Sequence, residues 1–306
     1  MRYGLSRYFL FYCMFYASSA TMFLLMKALF LSLVIAMPAF LASAQVNVAI
    51  TLDQEHFLPG EAVPVHVHIT NRSGQTLHLG DDDYWLSFMV ESKDGAVVTK
   101  KSDPSVVGAF DLGTSEVASK RVDLGPCFAL GRDGQYKVTA TVHIRDWNKD
   151  ITSAPIDFDV IRGAELWSES FGVPDSHAGN GQPDVRKYTL LEANYLRDQL
   201  RLYVQVTDET SASVVTVRAI GPMISFSQPQ TQLDVASDLH VLYQDGASTF
   251  IYAVVNPSGE IIRRDKYDYV NTHPRLRQDD SGKISVFGGV RRTEVPPVVA
   301  PTEVSR

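Results

Sequence analysis

Hydrophobic and polar residues alternate in short runs through the first half of the chain. The clearest runs span residues 46–52, 63–69, 136–144 and 156–160, and turn sequences such as Pro59-Gly60 separate them. A period of two residues places successive apolar side chains on one face of a β-strand. No run there has the period of an amphipathic helix, so the pattern predicts an all-β sandwich.

One pattern in the second half of the chain occurs two and a half times. The run at 200–206 reappears at 239–244 and, shortened, at 283–288. The first two copies begin 39 positions apart, and the turn glycines that follow them, Gly221 and Gly259, are 38 positions apart. A period near 40 with several strands in each period is typical of β-propeller blades and similar β-repeats.

The repeated segment resembles propeller blades of the sialidase-like or WD type. Asp280-Ser-Gly282 matches part of the Asp-box turn S-x-D-x-G-x-x-W, but Gln278 and Ser285 depart from it at either end. Closing a propeller takes at least about four blades, and residues 186–292 hold two and a fraction. The sequence therefore leaves open a small open or sandwiched β-domain, or a ring assembled from several chains.

The first segment resembles immunoglobulin-like sandwiches at one motif, the stretch around Tyr136. In a tyrosine corner, a tyrosine opens the penultimate strand and its hydroxyl ties the preceding loop. Ig domains with the disulfide carry Cys two residues later, where this chain has Val138. The resemblance is to the disulfide-free, fibronectin- or macroglobulin-like bacterial group, and this fold hosts many kinds of binding. The predicted fold class is thus all-β: an Ig-like sandwich plus a second small β-domain of propeller-blade-like repeats.

The N-terminus has the parts of a secretory signal peptide. Lys27 precedes the apolar run 28–41, and Ala42-Ser-Ala44 is an A-x-A cleavage signal. We therefore expect cleavage between Ala44 and Gln45 and a secreted or periplasmic protein.

The start of this leader has two interpretations. Met26 directly precedes the basic residue of the signal, so translation is expected to start there. Because residues 8–16 are apolar too, the alternative is an uncleaved segment that anchors the chain in a membrane. Beyond the leader, no run reaches the roughly 20 apolar residues that a membrane span needs.

Composition divides the chain into five parts. Gly, Pro, Asn and Asp cluster after the first segment, as in a loop or hinge, and Trp167 and Phe171 are expected to pack where the two domains meet. The last residues contain Pro296-Pro297 and have no period, which is typical of disorder. The predicted parts are a leader (1–44), an Ig-like sandwich (45–162), a linker (163–187), a β-repeat domain (188–292) and a disordered Pro-rich tail (293–306).

Charge and cysteine content exclude some classes of function. The chain has a net charge of −7, and its first 44 residues hold three basic residues and no acidic one, so the remainder carries −10. An acidic body argues against binding to a nucleic-acid backbone, which needs clustered Lys and Arg. The mature chain would have one cysteine, Cys127, which leaves no internal disulfide and predicts an inert, small apolar side chain.

His66 and His68 are the candidate metal ligands. Residues i and i+2 of a strand point to the same face, and two imidazoles on one face suit a metal such as zinc. His78 or the acidic run 81–83 could complete the shell. In the alternative interpretation, the apolar residues between the histidines form the core face, and both imidazoles lie on the solvent face.

No assembled catalytic motif occurs, so we expect an exported, non-catalytic binding or structural protein without a cofactor, whose partner is an unknown protein or glycan. One alternative is a remnant propeller-type glycan hydrolase, marked by paired carboxylates at a pocket. Asp279 and Asp280 do not qualify, because neighbours on a strand point to opposite faces.

The other alternative is a metal-binding protein that uses His66 and His68. An exposed aromatic patch would favour binding, and its candidate members are Trp85, Tyr203, Tyr243, Tyr252, Tyr267 and Tyr269.

Overall fold

The structure, a computed structural model, describes residues 46–106, 108–173 and 185–292. The predicted leader and the Pro-rich tail lie outside the described residues. The regular secondary structure of the described part is nearly all β-strand, arranged in several separate sheets, none of which closes on itself. The all-β prediction is confirmed.

Two sheets make up most of the first lobe. One has the strand order β1-β3-β7, and the other has the order β2-β10-β8-β5 with β9 beside β8. A short pair, β4 and β6, lies next to them. The strands are β1 (Val46–Leu52), β2 (His56–Phe57), β3 (Pro64–Asn71), β4 (Leu77–Leu79), β5 (Leu86–Ser92), β6 (Phe110–Leu112), β7 (Val117–Asp123), β8 (Gly134–Ile144), β9 (Lys149–Thr152) and β10 (Ile156–Val160).

The two sheets of the first lobe share one apolar core. Every second residue of β3, and of β8 from Tyr136 onward, is buried, as the alternating sequence predicts. The ring of Tyr136 stacks on that of Phe158, with ring centroids 5.6 Å apart. The Tyr136 hydroxyl donates a 2.8 Å hydrogen bond to the carbonyl oxygen of Arg132, so this tyrosine does tie the loop before its strand.

The second lobe consists of three stacked layers. The inner sheet has the order β11-β12-β13-β14, the outer sheet has the order β15-β16-β17-β18-β21, and β19 and β20 form a separate end hairpin. The strands are β11 (Ala164–Gly172), β12 (Val185–Leu196), β13 (Gln199–Asp208), β14 (Ser213–Pro222), β15 (Gln230–Leu233), β16 (Leu239–Gln244), β17 (Thr249–Val255), β18 (Ile261–Asp268), β19 (Arg275–Gln278), β20 (Ile284–Phe287) and β21 (Val290–Arg292).

The copies of the sequence repeat fall in successive layers. They correspond to β13 in the inner sheet, β16 in the outer sheet and β20 in the end hairpin. The apolar faces of β13 and β16 meet in one core between the inner and outer sheets. A second core, between the outer sheet and the end hairpin, contains Leu242, Tyr252 and Ile284. Each layer therefore buries its apolar face against the next.

The predicted linker, residues 163–187, is partly wrong. Residues 164–172 form β11, which pairs with β12 along the edge of the inner sheet. Phe171 is buried between the inner and outer sheets, where it stacks on Tyr188 at 4.2 Å, and Trp167 packs against the same core. These two rings therefore pack inside the second lobe and not between the lobes.

The two lobes are in direct contact. Leu58 of the first lobe packs with Ala193, Tyr203 and Val217 of the second. At its border, the backbone N–H of Glu55 donates a 2.9 Å hydrogen bond to the carbonyl of Tyr195. The inner sheet therefore packs on the outer sheet and, around Tyr203, also on the first lobe. In the described ranges, no helix is long and apolar enough to cross a membrane.

Candidate binding groove

A groove of about 500 Å³ lies between the outer sheet and the turn of the end hairpin. The end hairpin has two strands and the outer sheet has five, so the hairpin leaves part of that sheet uncovered. We call this feature the end groove. It is lined by Asp234, Val235, Asp238, His240, Tyr252, Val254, Ile262, Arg263, Ser281, Gly282, Lys283 and Ile284.

The loop between β15 and β16, residues 234–238, forms one wall of the end groove. The Asp234 Oδ1 atom accepts hydrogen bonds of 2.9 Å from the backbone N–H groups of Ala236 and Asp238. Ser237 has a left-handed backbone, with φ of 63°. The hydroxyl of Tyr188, from the inner sheet, donates to the Ser237 carbonyl over 3.1 Å. An aspartate-capped turn and a contact from the next layer thus fix the shape of this wall.

Three side chains form a hydrogen-bonded chain in the floor of the end groove. The Nδ1 atom of His240 lies 2.6 Å from the hydroxyl of Tyr252, and Nε2 lies 3.2 Å from Oδ2 of Asp234. Only 7% of His240 and 1% of Tyr252 are exposed. Burial raises the pKa of the Tyr252 hydroxyl, so this phenol is neutral over the physiological range.

The hydrogen-bond partners decide the tautomer of His240. An ionised carboxylate only accepts hydrogen bonds, so Nε2 carries the proton that faces Asp234. The Nδ1 atom of a neutral imidazole is then an acceptor, and the Tyr252 hydroxyl donates to it. In this state, the hydroxyl hydrogen of Tyr252 is donated to His240 and cannot be donated to a ligand at the same time.

The rim of the end groove carries aliphatic side chains and two basic ones. Val235 is 89% exposed and Ile262 is 55% exposed, although both are aliphatic. The guanidinium of Arg263 lies over the ring of Tyr252, 5.2 Å from its centroid, and its Nε donates to Asp265 over 2.7 Å. Lys283, on the hairpin turn, also lines the groove. The groove thus combines branched aliphatic groups with two cations and with the carboxylates of Asp234 and Asp238.

The predicted metal ligands lie in the first lobe, away from this groove. His66 and His68 are half-buried on one face of β3, and the residues between them are buried. His66 Nε2 lies 3.1 Å from Oδ2 of Asp53, and His68 Nδ1 lies 2.8 Å from the hydroxyl of Ser119. Among the residues with described positions, no group of three or more His, Cys, Asp or Glu could hold a metal ion. The metal site stays a prediction.

The other proposed contributors to that site are separated from it. His78 lies on β4, where its Nδ1 is 2.5 Å from Asp111 on β6. In the acidic run, Asp82 accepts a 2.6 Å hydrogen bond from Arg145, which holds its pKa below the usual range. The structure thus gives these groups partners of their own and does not join them to His66 and His68.

Most of the aromatic residues that could have formed an exposed patch lie in the cores. Trp85, Tyr203, Tyr243 and Tyr252 are buried, whereas Tyr269 is exposed. The three tyrosines are buried because layers cover both faces of their strands: Tyr203 packs on the first lobe, Tyr243 between the inner and outer sheets, and Tyr252 between the outer sheet and the end hairpin. Cys127 is buried, as expected of an inert apolar side chain.

The end groove itself was not predicted. One signal for it was present: His240 is a polar residue in the otherwise apolar run of β16, and all five residues from Leu239 to Tyr243 are buried. A buried imidazole needs partners for both ring nitrogens. Such a residue in the middle of a core strand points to a polar network, although it does not say which residues complete it.

Comparison with known proteins adds little to this geometry. No protein-family model matches the chain, and no curated protein sequence matches it. Among solved structures, the chain is similar to Spo0M, a sporulation control protein from Bacillus subtilis, with 12% sequence identity and a TM-score of 0.29. That match covers 56% of this chain and 83% of Spo0M. A likeness at this level supports no inference about function.

Proposed function

We propose that this is an exported, non-catalytic binding protein whose ligand site is the end groove. In this proposal the first lobe is an Ig-like sandwich, supported by the hydrogen bond from Tyr136 to the Arg132 carbonyl. The second lobe is a truncated stack of propeller-blade-like sheets, supported by the placement of the three repeat copies in successive layers. The shortened third copy leaves the groove uncovered.

The observation that carries the proposal is the combination of a fixed polar floor with an exposed aliphatic rim. Ligand sites are typically concave, mostly apolar, and contain a few convergent polar groups, with volumes of about 300–1,000 Å³. The end groove has that size, with about 500 Å³. It also has that composition, since His240 and Tyr252 lie below Val235 and Ile262. A small ligand with an aliphatic part fits this description.

The hydrogen bonds of Asp234 and Asp279 favour binding over glycan hydrolysis. A glycosidase uses two carboxyl groups that are free to act on the scissile bond. In the end groove, Oδ1 of Asp234 is occupied by backbone N–H groups and Oδ2 by His240. At the hairpin turn, Oδ1 of Asp279 accepts from the backbone N–H groups of Ser281 and Lys283, so this acid shapes the turn.

The binding proposal is tested by ligand-observed NMR with the mature chain, residues 45–306. The library contains small carboxylic acids, amines, alcohols and short oligosaccharides. We expect hits that disappear in an Ile262→Trp variant, because the larger side chain fills the groove from its rim. The matched control is Val117→Trp, which enlarges an equally exposed aliphatic residue of the first lobe (59% exposed). Hits that survive Ile262→Trp, or a library without hits, would contradict the proposal.

Export is a separate part of the proposal, supported by the A-x-A signal at Ala42-Ser-Ala44. The test is N-terminal sequencing of the protein recovered from the medium or the periplasm. We expect the mature chain to begin at Gln45. A chain that retains residues before Gln45 and stays with the membrane fraction would support the anchored alternative instead.

A further inference from the structure

The polar floor of the end groove contains one imidazole, that of His240. Imidazole is the side chain whose charge ordinarily changes between about pH 5 and 8. In its neutral state, His240 donates to Asp234 and accepts from Tyr252. A proton added at Nδ1 turns this atom from an acceptor into a donor. The state of His240 therefore decides what the Tyr252 hydroxyl can do.

Charged and titratable groups from several elements line the groove together with His240. The loop before β16 supplies Asp234 and Asp238, and β17 supplies Tyr252. Strand β18 supplies Arg263, and the end hairpin supplies Lys283. The groove thus holds two carboxylates and two cations, and of these Asp234 is hydrogen-bonded to the imidazole.

The consequence of protonation follows from the geometry of the pair. With Nδ1 protonated, the Tyr252 oxygen can only accept from His240, so its own hydrogen must turn to another acceptor. A buried hydroxyl hydrogen without an acceptor is unfavourable, because the group has lost its hydrogen bond to water. An anion bound in the groove removes that cost, because it accepts this hydrogen. It also lies close to a new positive charge on His240 and to Arg263 and Lys283.

We propose that the end groove binds a small aliphatic carboxylate and that protonation of His240 switches this binding on. The inference rests on the proposed function of the groove and adds the class of ligand and its pH dependence. The aliphatic part lies against Val235 and Ile262, and the carboxylate faces the His240–Tyr252 pair between the two rim cations. While His240 is neutral, Tyr252 donates to it, and the groove offers the carboxylate one hydrogen-bond donor and one positive charge fewer.

The test is the affinity of octanoate for the mature chain, measured by calorimetry or ligand-observed NMR at about pH 5.5 and about pH 8, on either side of the range in which imidazole titrates. We expect binding to be about tenfold tighter at the lower pH, since a charge-assisted hydrogen bond is gained. Octanamide, which has the same chain without the charge, should show no such change.

Two variants distinguish the pH dependence of octanoate binding from binding in the groove itself. His240→Gln keeps a neutral hydrogen-bonding side chain but cannot take up the proton, so octanoate affinity should no longer change with pH. Tyr252→Phe removes the hydroxyl donor and should weaken binding at the lower pH only. The control is His143→Gln, a half-buried histidine of the first lobe that lies 2.6 Å from Asp150, and it should leave the pH dependence intact.

The outcomes distinguish the two proposals. If octanoate binds equally at both pH values and Ile262→Trp abolishes binding, the groove is a ligand site but the switch is wrong. If octanoate binds at neither pH while other library members bind and respond to Ile262→Trp, the carboxylate assignment is wrong and the groove proposal stands. Far-ultraviolet circular dichroism of His240→Gln confirms that the variant is folded, and Tyr252→Phe provides an independent readout if it is not.

Discussion

The guanidinium of Arg201, on the inner sheet of the second lobe, donates a 2.6 Å hydrogen bond to the side-chain oxygen of Gln54 in the first lobe. The amide nitrogen of Gln54 donates in turn to the carboxylate of Glu61 over 2.9 Å. The same guanidinium lies over the ring of Tyr195, 3.6 Å from its centroid. A polar chain thus crosses the boundary between the lobes beside the apolar contact around Leu58.

Arg201→Ala should therefore destabilise the whole protein. The change removes the bond to Gln54 and the contact with Tyr195, and it leaves a partly buried amide without its partner. We expect the free energy of unfolding in urea to fall by about 1–3 kcal/mol. Arg72→Ala, at an exposed position of the first lobe, should change it by less than about 0.5 kcal/mol. An equal effect of the two changes would show that the chain through Gln54 does not hold the lobes together.

The carboxyl of Glu61 makes this boundary sensitive to pH. Glu61 is 8% exposed, and burial raises its pKa above the ordinary value of 4.5, an effect that hydrogen bonds from Leu58 and Gln54 and the charge of Arg201 offset only in part. The folded state thus binds the proton more tightly than the unfolded state does. This contribution to stability is present at low pH and is lost as the pH rises through the folded pKa.

We therefore expect a Glu61→Gln variant to lose this part of the pH dependence. Urea unfolding of both proteins at a series of pH values gives the difference in unfolding free energy. That difference should shift in favour of the variant as the pH rises from about 4.5 through the raised pKa, because the variant never buries the charge. A difference that stays constant with pH would mean that Glu61 titrates as it does in the unfolded chain.

The strands could be predicted from the sequence because the alternation of hydrophobic and polar residues involves only neighbours in the chain. The alternation in β3 and in β8 fixes which residues face the core, and the repeat in β13, β16 and β20 identifies three equivalent strands. The hydrogen bond from Tyr136 to the Arg132 carbonyl could be predicted for the same reason, since the two residues are four positions apart. Each of these features depends on neighbours in the chain.

The end groove and the boundary between the lobes depend instead on how layers stack. Gln54 and Arg201 are 147 positions apart, and no sequence period relates them. The groove combines the loop 234–238 with β17, β18 and the end hairpin, so it exists only once these layers are in register. The predicted linker was partly wrong because the cluster of Gly, Pro, Asn and Asp is confined to the residues after β11, whereas Ala164–Gly172 before it form a strand.

Tyr136→Phe tests the tether in the first lobe. The change removes the hydroxyl that donates to the Arg132 carbonyl and keeps the ring that stacks on Phe158. We expect a loss of about 1 kcal/mol in the free energy of unfolding, the usual contribution of one such hydrogen bond. The matched control is Tyr84→Phe, because Tyr84 is 78% exposed and should tolerate the change. If the wild type and both variants were equally stable, the hydrogen bond from Tyr136 to the Arg132 carbonyl would not contribute to stability.

Zinc addition tests the predicted metal site on β3. If His66 and His68 bind the ion, the metal should raise the thermal unfolding temperature of the wild-type protein. The double change of both histidines to alanine should abolish that shift, whereas His78→Ala, on the separate β4–β6 pair, should retain it. A zinc effect that is equal in all variants, or no zinc effect, would remove the metal-binding hypothesis and leave the two imidazoles as surface groups.

Gly259 offers a test of the packing between the inner and outer sheets. It lies in the turn before β18 with φ of 81°, and a Cβ atom there would come within 2.2 Å of Cγ2 of Thr216 on β14. Gly95 has nearly the same φ, 82°, but a Cβ atom there would meet nothing within 4 Å. Gly95→Ala should therefore cost about 1–2 kcal/mol for the left-handed backbone alone.

Gly259→Ala should cost about 1–3 kcal/mol more than Gly95→Ala, because it adds a steric conflict to the same backbone strain. Thr216→Ser removes the methyl group that the new side chain meets, so this second change should restore part of the stability lost in Gly259→Ala. Urea unfolding of the three variants and the wild type measures both effects. Equal losses at the two glycines, with no rescue by Thr216→Ser, would mean that the two sheets are not packed closely at this turn.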